Sequence, residues 1–538
     1  MDDPSKQSNG PPPSGEIFSE GSHSAYEEAM AAPSEEVAGP SSVPFEDSAN
    51  PPVPDAFSVP PAYIEDPRRK FLFLALFVII IVVVGVVALR FLGSRSTTPT
   101  GSNGQKTEKI TLTYWGLWEE ESIMSPLIEK FEKENNQIEV NYVRQDPVQY
   151  RERVQAAIDR GEGPDIFRFH NTWLPMLVKQ LAPLPKDVIS DEEYGKTFYP
   201  VVLQDLKGGD NFYGIPLEID GLLLFYNEDI LNGANVTVPL TWIDIQNSVS
   251  RLTVKEGNLI ATSAIALGTA ENIEHFSDIL GLMMLQNGTK LYESLFSCSD
   301  AAETDCAVQT LKFYRMFAAP PSNTWDNSLE NSIVAFAGGK TAMIIAPSWQ
   351  ALTINSINPD LNFKTAKVPQ LPCDREPCPE INWASYWVEG VSVKSKKQDT
   401  SWQFLKFLLQ PENMQKLYEG QSKVRKLFGE PYSRVDLGKN LSDNPYLSPL
   451  ISEAPTMKSF YLSSRTFDGE TGINTSLIDY LKDAVNGLSE QGVSEESVIK
   501  TAESGFGEVF KRFNLSYGQK QDNQGQTGEN QSGSLQVQ

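Results

Sequence analysis

Aromatic rings and hydrogen-bonding side chains occur together where an apolar segment of this chain ends. The stretch GPDIFRFHNTWLPML runs through Ile166 and Phe169 and then closes with His170, Asn171 and Trp173. Flat rings stack on the apolar C–H face of a polyol, and amide or carboxylate oxygens bond its hydroxyl groups. The combination therefore predicts a binding site for a sugar-like ligand at the end of a buried strand.

Other stretches of the chain end in the same way. ITLTYW is followed shortly by Trp118, FYGIPLEIDGLLLFYN places Asp220 inside an apolar run, and TAMIIAPSW ends in Trp349. The stretch WASYW, which begins at Trp383, is dense in aromatic residues for a loop. An isolated buried carboxylate is costly, so Asp220 must be paired or must lie near water or ligand.

The common catalytic motifs are missing from the sequence. There is no G-x-S-x-G and no H-E-x-x-H, and the chain has only three His, of which His23 lies near the N-terminus. GGKT at 338–341 does not form a phosphate loop, because Val334 stands where that loop needs Gly. We therefore expect no catalytic residue, no metal and no cofactor. A facing pair of carboxylates, as in glycoside hydrolases, stays open as an alternative.

Strand-like and helix-like segments alternate after residue 109. KITLTYW, IEVNYV and DIFRFH have the composition and pattern of strands. SIMSPLIEKFEKENN between them has apolar residues at helical spacing, and DPVQYRERVQAAIDRGEG has Asp146 as the expected helix N-cap. This β-α-β-α-β order predicts an α/β fold with a mostly parallel sheet. Such sheets bind ligands beyond the carboxyl ends of their strands.

Charge is distributed unevenly along the chain. The formal charge of −25 argues against nucleic acid as a partner. Residues 1–66 contain thirteen Asp and Glu against one Lys and are rich in Pro and Ser, so we expect a disordered acidic tail. That tail is either a solvated spacer or a docking segment for a partner. The polar, low-complexity residues 516–538 are expected to be disordered as well.

Residues 67–92 are expected to cross a membrane as one helix. The stretch 71–89 contains no charge, and a helix over 71–92 would be about 33 Å long, against a hydrocarbon core of about 30 Å. The cations at 68–70 favour a cytoplasmic N-terminus. We therefore expect a single-pass protein of the cell membrane that contacts lipid through 71–92, with a flexible linker at 93–108.

The four cysteines form two pairs that are close in sequence. Cys298 and Cys306 lie in CSDAAETDC, and Cys373 and Cys378 lie in CDREPC. Both stretches are polar and turn-like, which favours two local disulfides in an oxidising compartment. Zinc binding and free thiols are the alternatives, although zinc sites usually have tighter C-x2-C spacing. The region after the membrane span is therefore expected to be extracytoplasmic.

The series of stretches resembles the family 1 extracellular solute-binding proteins, the maltose-binding-protein-like receptors of ATP-driven sugar importers. It includes PLIEKFEKENNQIEVNYV, GEGPDIFRFHNTWLPMLVKQLAPLP, YGIPLEIDGLLLFYNEDIL, FAGGKTAMIIAPSW and SWQFLKFLLQPENMQKLY, within about 109–515. The resemblance implies a two-lobed periplasmic-binding-protein type II fold, and two permease subunits and an ATPase of an ABC transporter as partners. The implied lobes are 109–219 with 373–420, and 220–372 with 421–515.

The resemblance also implies which residues line the cleft between the lobes. They are Trp115, Trp118, His170, Asn171, Trp173, Asp220, Trp349, Trp383, Tyr386 and Trp387. Structural roles are open alternatives for His170, as a hydrogen-bonded core histidine, and for Trp173, as packing at a helix start.

The expected function is capture of a carbohydrate by a membrane-anchored binding protein of an ABC importer. The predicted membrane helix differs from the usual pattern of the family that the chain resembles, because usual members have a cleavable signal or a lipidated Cys. Two alternatives remain open. The protein could be a sensor that passes cleft closure to its acidic tail, or a cell-surface enzyme that acts on glycans.

Overall fold

Strands and helices alternate through the part of the chain that the computed structural model describes, residues 109–300, 302–373, 377–489 and 492–517. In chain order, the strands are β1 Ile110–Gly116, β2 Ile138–Arg144, β3 Ile166–His170, β4 Lys207–Gly208, β5 Asn211–Phe212, β6 Leu222–Asn227, β7 Val254–Glu256, β8 Leu259–Ile265, β9 Thr341–Pro347, β10 Phe363–Ala366, β11 Asn382–Trp383, β12 Trp387–Val391 and β13 Met457–Lys458. The helices are α1 Glu121–Glu134, α2 Tyr150–Asp159, α3 Leu174–Leu177, α4 Asp191–Thr197, α5 Pro200–Asp205, α6 Glu228–Gly233, α7 Trp242–Leu252, α8 Phe276–Gln286, α9 Cys306–Met316, α10 Ser332–Ala337, α11 Gln350–Ile357, α12 Gln398–Leu408, α13 Pro411–Arg425, α14 Val435–Gly438, α15 Ser448–Glu453, α16 Ile473–Gly487 and α17 Glu495–Arg512.

Local sequence signals account for several helix boundaries. At the start of α7, Thr241 Oγ1 accepts from Asp244 N at 3.1 Å and Asp244 Oδ2 accepts from Thr241 N at 2.9 Å, a reciprocal capping box. The expected N-cap at Asp146 is wrong, because α2 begins only at Tyr150 after a turn. Gln149 precedes that helix with φ of 54° and has no side-chain capping bond, and Tyr150 at the first helical position is buried.

The first sheet has the strand order β12-β3-β1-β2. β1 pairs in parallel with β2 and with β3, whereas β12 pairs antiparallel with β3. The helices α1 and α12 pack against it, with Phe131 and Phe404 in edge contact at 4.9 Å. The mostly parallel sheet predicted from the β-α-β-α-β order is therefore confirmed for this part of the chain. We call the region built on this sheet the first lobe.

The second sheet has the order β10-β6-β9-β8-β7 and is mostly antiparallel. Only β8 and β9 pair in parallel, so the parallel expectation does not extend here. We call the region built on this sheet the second lobe. The lobe boundary expected at about residue 420 falls within α13, which runs without a break to Arg425 and packs on α1.

Segments that lie side by side connect the two sheets. Backbone bridges pair Gly221 with Ala384, Ile215 with Glu389, and Glu218 with Tyr432. The approach is closest at Gly221, where an added Cβ would lie 1.9 Å from the Trp383 carbonyl oxygen. A side chain at this position would therefore separate the crossing segments.

A buried arginine joins three parts of the first lobe. Arg168 on β3 pairs through Nη1 with Glu119 Oε2 at 2.6 Å and through Nε with Glu389 Oε1 at 2.7 Å. Gln421 Nε2 on α13 donates to the other Glu119 oxygen at 3.1 Å. Burial alone would lower the pKa of Arg168, but the two carboxylates raise it well above its usual value. The guanidinium is therefore charged, and it is paired with both carboxylates.

Both predicted disulfides are confirmed. Cys298 and Cys306 are bonded, as are Cys373 and Cys378, with Cα–Cα distances of 6.1 and 5.9 Å. The predicted membrane helix at 67–92 and the tails at 1–66 and 516–538 lie outside the described residues, apart from 516 and 517. Among the residues that are described, no helix combines the length and the apolar character needed to cross a bilayer.

We predict that Arg168→Ala lowers the free energy of unfolding by about 3–5 kcal/mol, because it leaves Glu119 and Glu389 buried without their cation. Urea unfolding followed by tryptophan fluorescence measures the change. The control Arg160→Ala removes an exposed pair with Glu162 and should cost no more than about 1 kcal/mol. Equal losses in the two variants would contradict a structural role for the buried network.

Candidate functional site

A cleft of about 670 Å³ opens where the ends of the two sheets face each other. From the first lobe come Trp118 after β1, His170 at the end of β3, and Trp387, which pairs with His170 at the start of β12. From the second lobe comes Trp349, directly after β9. This is the sheet edge at which open α/β sheets bind ligands.

One wall of the cleft is an aromatic cluster. The rings of Trp118 and Trp387 lie 5.3 Å apart in edge contact, and Phe467 lies 5.9 Å from Trp118. His170 approaches Trp387 edge-on at 5.1 Å. Trp349 lines the cleft from the second lobe and meets His275 edge-on at 5.8 Å. Both lobes thus present aromatic rings to the same space.

His170 is held as a neutral imidazole. Asn474 Nδ2 donates to Thr172 Oγ1 at 2.7 Å, so the Thr172 hydroxyl is free to donate to His170 Nδ1 at 2.8 Å. Nε2 then carries the proton and donates to Ser385 Oγ at 3.0 Å. Burial lowers the pKa of His170 to about 3, consistent with a neutral ring. His170 therefore offers hydrogen-bonding geometry and no charge.

Asp220 faces the cleft, but the protein itself uses much of its hydrogen-bonding capacity. Oδ1 accepts from Gly221 N at 2.7 Å and from Ser348 N at 3.1 Å, and Oδ2 lies 3.4 Å from Trp349 N. Burial raises the pKa of Asp220 to about 7. The carboxyl group thus fixes the turn that carries Trp349, with part of its surface left for a ligand.

The second lobe adds a polar cluster that the sequence did not reveal. His275 Nδ1 lies 2.7 Å from Ser464 Oγ, and His275 Nε2 lies 3.0 Å from Gln350 Nε2. Gln350 is only 2% exposed, and its Oε1 has no hydrogen-bond partner within the described residues. Trp118 Nε1 is likewise buried and has no hydrogen-bond partner within the described residues. Both side chains line the cleft, although these two atoms are shielded from solvent in this arrangement.

The charged groups around the cleft mostly neutralise one another. Arg465 pairs with Glu274, and Arg425 pairs with Glu430. Burial raises the pKa of Glu218 well above its usual value, and Glu430 raises it further. A ligand without net charge suits such a lining better than an anion or a cation.

Five of the residues expected in the cleft do not line it. Trp173 is fully buried between Tyr150 and Trp387, whose ring centres lie 6.2 and 5.4 Å away, so it packs the core at a helix start. Trp383 is also fully buried and donates from Nε1 to Asp278 Oδ1 at 3.1 Å. Trp115 is partly buried and lies outside the cleft lining.

Asn171 and Tyr386 belong to an interior network instead. Asn171 Nδ2 and the Tyr386 hydroxyl each donate to Asp205 Oδ2 at 2.8 Å, and Ser459 donates to the other oxygen. Burial raises the pKa of Asp205 to about 6. The polar atoms of Asn171 and Tyr386 thus hydrogen-bond the buried Asp205 carboxyl group. The sequence could not indicate this pairing.

Trp118, His170, Asp220, Trp349 and Trp387 are the expected residues that the fold brings together in the cleft. Sequence reasoning missed Phe467 and Gln350. Phe467 lies in the polar stretch SSRTFDG with φ of 56°, where no apolar run marks a strand end. Gln350 directly follows Trp349 at the start of α11, so its position after β9 was the one available signal.

A sequence model of the bacterial extracellular solute-binding protein family matches residues 116–415. The chain belongs to this family. The resemblance noted from the sequence is therefore confirmed, and the cleft lies where the carboxyl ends of the strands in this solute-binding protein converge.

Named relatives and a solved structure agree with that assignment. The maltodextrin-binding protein MdxE of Bacillus subtilis is 25% identical over 341 residues, which span 62% of this chain and 76% of the relative. The galactooligosaccharide-binding protein of the same organism is 21% identical over 339 residues, 63% of this chain and 77% of the relative. A cyclo/maltodextrin-binding protein complexed with maltotetraose matches the fold with a TM-score of 0.59 at 15% identity, over 76% of this chain and 99% of the other.

We predict that Asp220→Asn changes the pH dependence of stability. The carboxyl group has a folded pKa of about 7 against an ordinary value of 3.8. Between these values the folded wild type binds more protons than the unfolded chain, so this group's contribution to stability is lost as pH rises. From pH 4 to 7, the stability of the variant relative to wild type should improve by up to about 4 kcal/mol.

Urea unfolding at several pH values measures how steeply the free energy of unfolding changes with pH. The other buried acids contribute equally to this slope in both proteins. Asp187→Asn, the same change at an exposed position, is the control and should leave the slope unchanged. A slope for Asp220→Asn that matches wild type would show that Asp220 is ionised in the folded protein throughout this range.

Proposed function

We propose that the cleft captures a neutral oligosaccharide without chemical change. The observation that carries the proposal is the convergence of four aromatic rings on one cleft, beside the polar side chains of His170, Asp220 and Gln350. The rings are those of Trp118, Trp387, Phe467 and Trp349. Rings stack on the C–H faces of sugars, and the polar atoms bond hydroxyls. The cleft volume is of the order that encloses a small ligand.

The relatives support an oligosaccharide rather than a single sugar. The two curated relatives are named for binding maltodextrin and galactooligosaccharide. In this chain the rings come from both lobes, so successive residues of a saccharide have a ring on either side. Binding that favours the closed arrangement of the lobes shifts the hinge equilibrium toward it.

We further infer that the protein is anchored in the cell membrane and delivers its ligand to an ABC importer. The uncharged stretch 71–89 supports the anchor, and the two disulfides support an oxidising compartment for the cleft. The family places such receptors outside the cytoplasm. Two permease subunits and an ATPase are the proposed partners.

We predict that Trp349→Ala weakens oligosaccharide binding by about 5- to 30-fold, because one stacked ring contributes about 1–2 kcal/mol. Titration calorimetry with maltotetraose, mannotriose and a galactooligosaccharide mixture measures the change. Trp349 is partly exposed, so the melting temperature should change little. Trp115→Ala removes a partly buried ring outside the cleft and should leave the affinity unchanged.

Two results would count against this role of Trp349. A large drop in melting temperature would place the ring in the core. Unchanged affinity for a saccharide that binds wild type would place it outside the site. If no saccharide in the panel binds wild type, the carbohydrate proposal itself fails.

We predict that protease added to intact cells removes the binding domain and spares the N-terminal tail. The cations at 68–70 should keep residues 1–66 in the cytoplasm. Antibodies against each end, used before and after detergent permeabilisation, measure which side each end occupies. Protection of the C-terminal domain in intact cells would contradict both the topology and the transport proposal.

A further inference from the structure

A polar segment, residues 464–474, lies along the cleft between the two lobes; it includes the first two residues of α16, and we call it the strap. Its first residue is fixed to the second lobe at the start of α8. Ser464 N donates to Asp278 Oδ2 at 2.9 Å, and Ser464 Oγ lies 2.7 Å from His275 Nδ1. This end of the strap therefore belongs to the second lobe.

The middle and the C-terminal end of the strap contact the first lobe. Arg151 on α2 donates from Nε to the Asp468 carbonyl oxygen at 2.5 Å, and Asn474 Nδ2 donates to Thr172 Oγ1 at 2.7 Å. The Arg151 side chain is only 8% exposed, although its one carboxylate contact is to the adjacent Glu152. A buried guanidinium aimed at a backbone carbonyl of the opposite segment is a specific tie between the lobes.

The strap is held in a conformation that the chain rarely adopts without such ties. Arg465 and Phe467 have φ of 57° and 56°, in the left-handed region that non-glycine residues disfavour, and Gly469 has φ of 80°. An added Cβ at Gly469 would lie 1.6 Å from Glu152 Oε1, so the strap touches α2 here. The Asp468 carboxylate accepts from Asn474 N and from Thr475 Oγ1, both at 2.7 Å.

The strap also reaches the ligand space. Ser464, Arg465 and Phe467 line the cleft, and Phe467 packs 5.9 Å from Trp118 of the first lobe. Thr172, the partner of Asn474, in turn bonds His170 Nδ1. A ligand that fills the cleft therefore contacts the same segment that ties the lobes together.

We propose that the strap is a latch that keeps the two lobes together around the ligand, and that Arg151 is a positioning residue for binding that does not itself touch the ligand. The proposal rests on the proposed binding function. Because the tie through Arg151 opposes separation of the lobes, it slows ligand release. Its effect is also independent of the length of the saccharide.

The test compares Arg151→Met with Arg153→Met in the full-length protein. Arg153 lies on the same helix but is exposed and bonds the carbonyl of Asp146 in its own lobe. Stopped-flow tryptophan fluorescence with maltotetraose should show dissociation about tenfold faster or more in Arg151→Met, the effect of a lost charged hydrogen bond. Arg153→Met should behave as wild type.

A second variant and a ligand-free measurement separate the latch from a general loss of stability. Thr172→Val removes the other tie with little change in volume and should also speed dissociation. Spin labels at Lys133→Cys and Leu259→Cys, one exposed position in each lobe, report the distance between the lobes; all four native cysteines are paired. Arg151→Met should lengthen that distance without ligand.

Wild-type dissociation rates and distances in both Arg151→Met and Thr172→Val would overturn the latch, even if the melting temperature falls. If wild type does not bind maltotetraose, the proposed function is in question for that sugar, and the distance measurement alone decides about the strap. An unchanged distance in Arg151→Met would then overturn it.

Discussion

The buried guanidinium of Arg168 is the constraint on which the first lobe depends. A charge removed from water is tolerated only when its partners are fixed around it. Glu119 after β1 and Glu389 on β12 supply those partners, so the three segments cannot shift independently. β3 and β12 are thereby held in the register that pairs His170 with Trp387 at the edge of the cleft.

The same cost of burying charge shapes the cleft itself. Asp220 has a raised pKa and accepts backbone N–H groups from the turn that carries Trp349. The charged pairs Arg465–Glu274 and Arg425–Glu430 neutralise each other. What remains for a ligand is mostly aromatic surface and a few uncharged polar atoms, a lining suited to binding an uncharged ligand through stacking and hydrogen bonds.

Membership of the solute-binding family accounts for the fold but not for every contact within it. Identity to the named relatives is 21–25%, and a solved structure at 15% identity shares the fold, so the architecture tolerates wide variation in sequence. The segments that cross between the sheets restrict the residue type at position 221, because the Gly221 backbone lies against the Trp383 carbonyl and leaves no room for a side chain. The ties through Arg151 and Asn474 add a connection between the lobes at the side of the cleft, separate from these crossings.

Local sequence pattern determined the three parallel strands β1, β2 and β3, the capping box at Thr241 and both disulfides, because each depends on residues that are near one another in the chain. The positions of aromatic residues after strands also predicted Trp118 and Trp349 as cleft residues, and the family resemblance implied Trp387.

Only the tertiary structure decided which aromatic and polar residues face the ligand space. Trp383 and Tyr386 have the same chemistry as the cleft residues, yet their polar atoms bond Asp278 and Asp205, which are distant in sequence. Phe467 reaches the cleft because a left-handed backbone and contacts from both lobes direct its loop there. The direction of a side chain depends on partners that become neighbours only when the chain has folded.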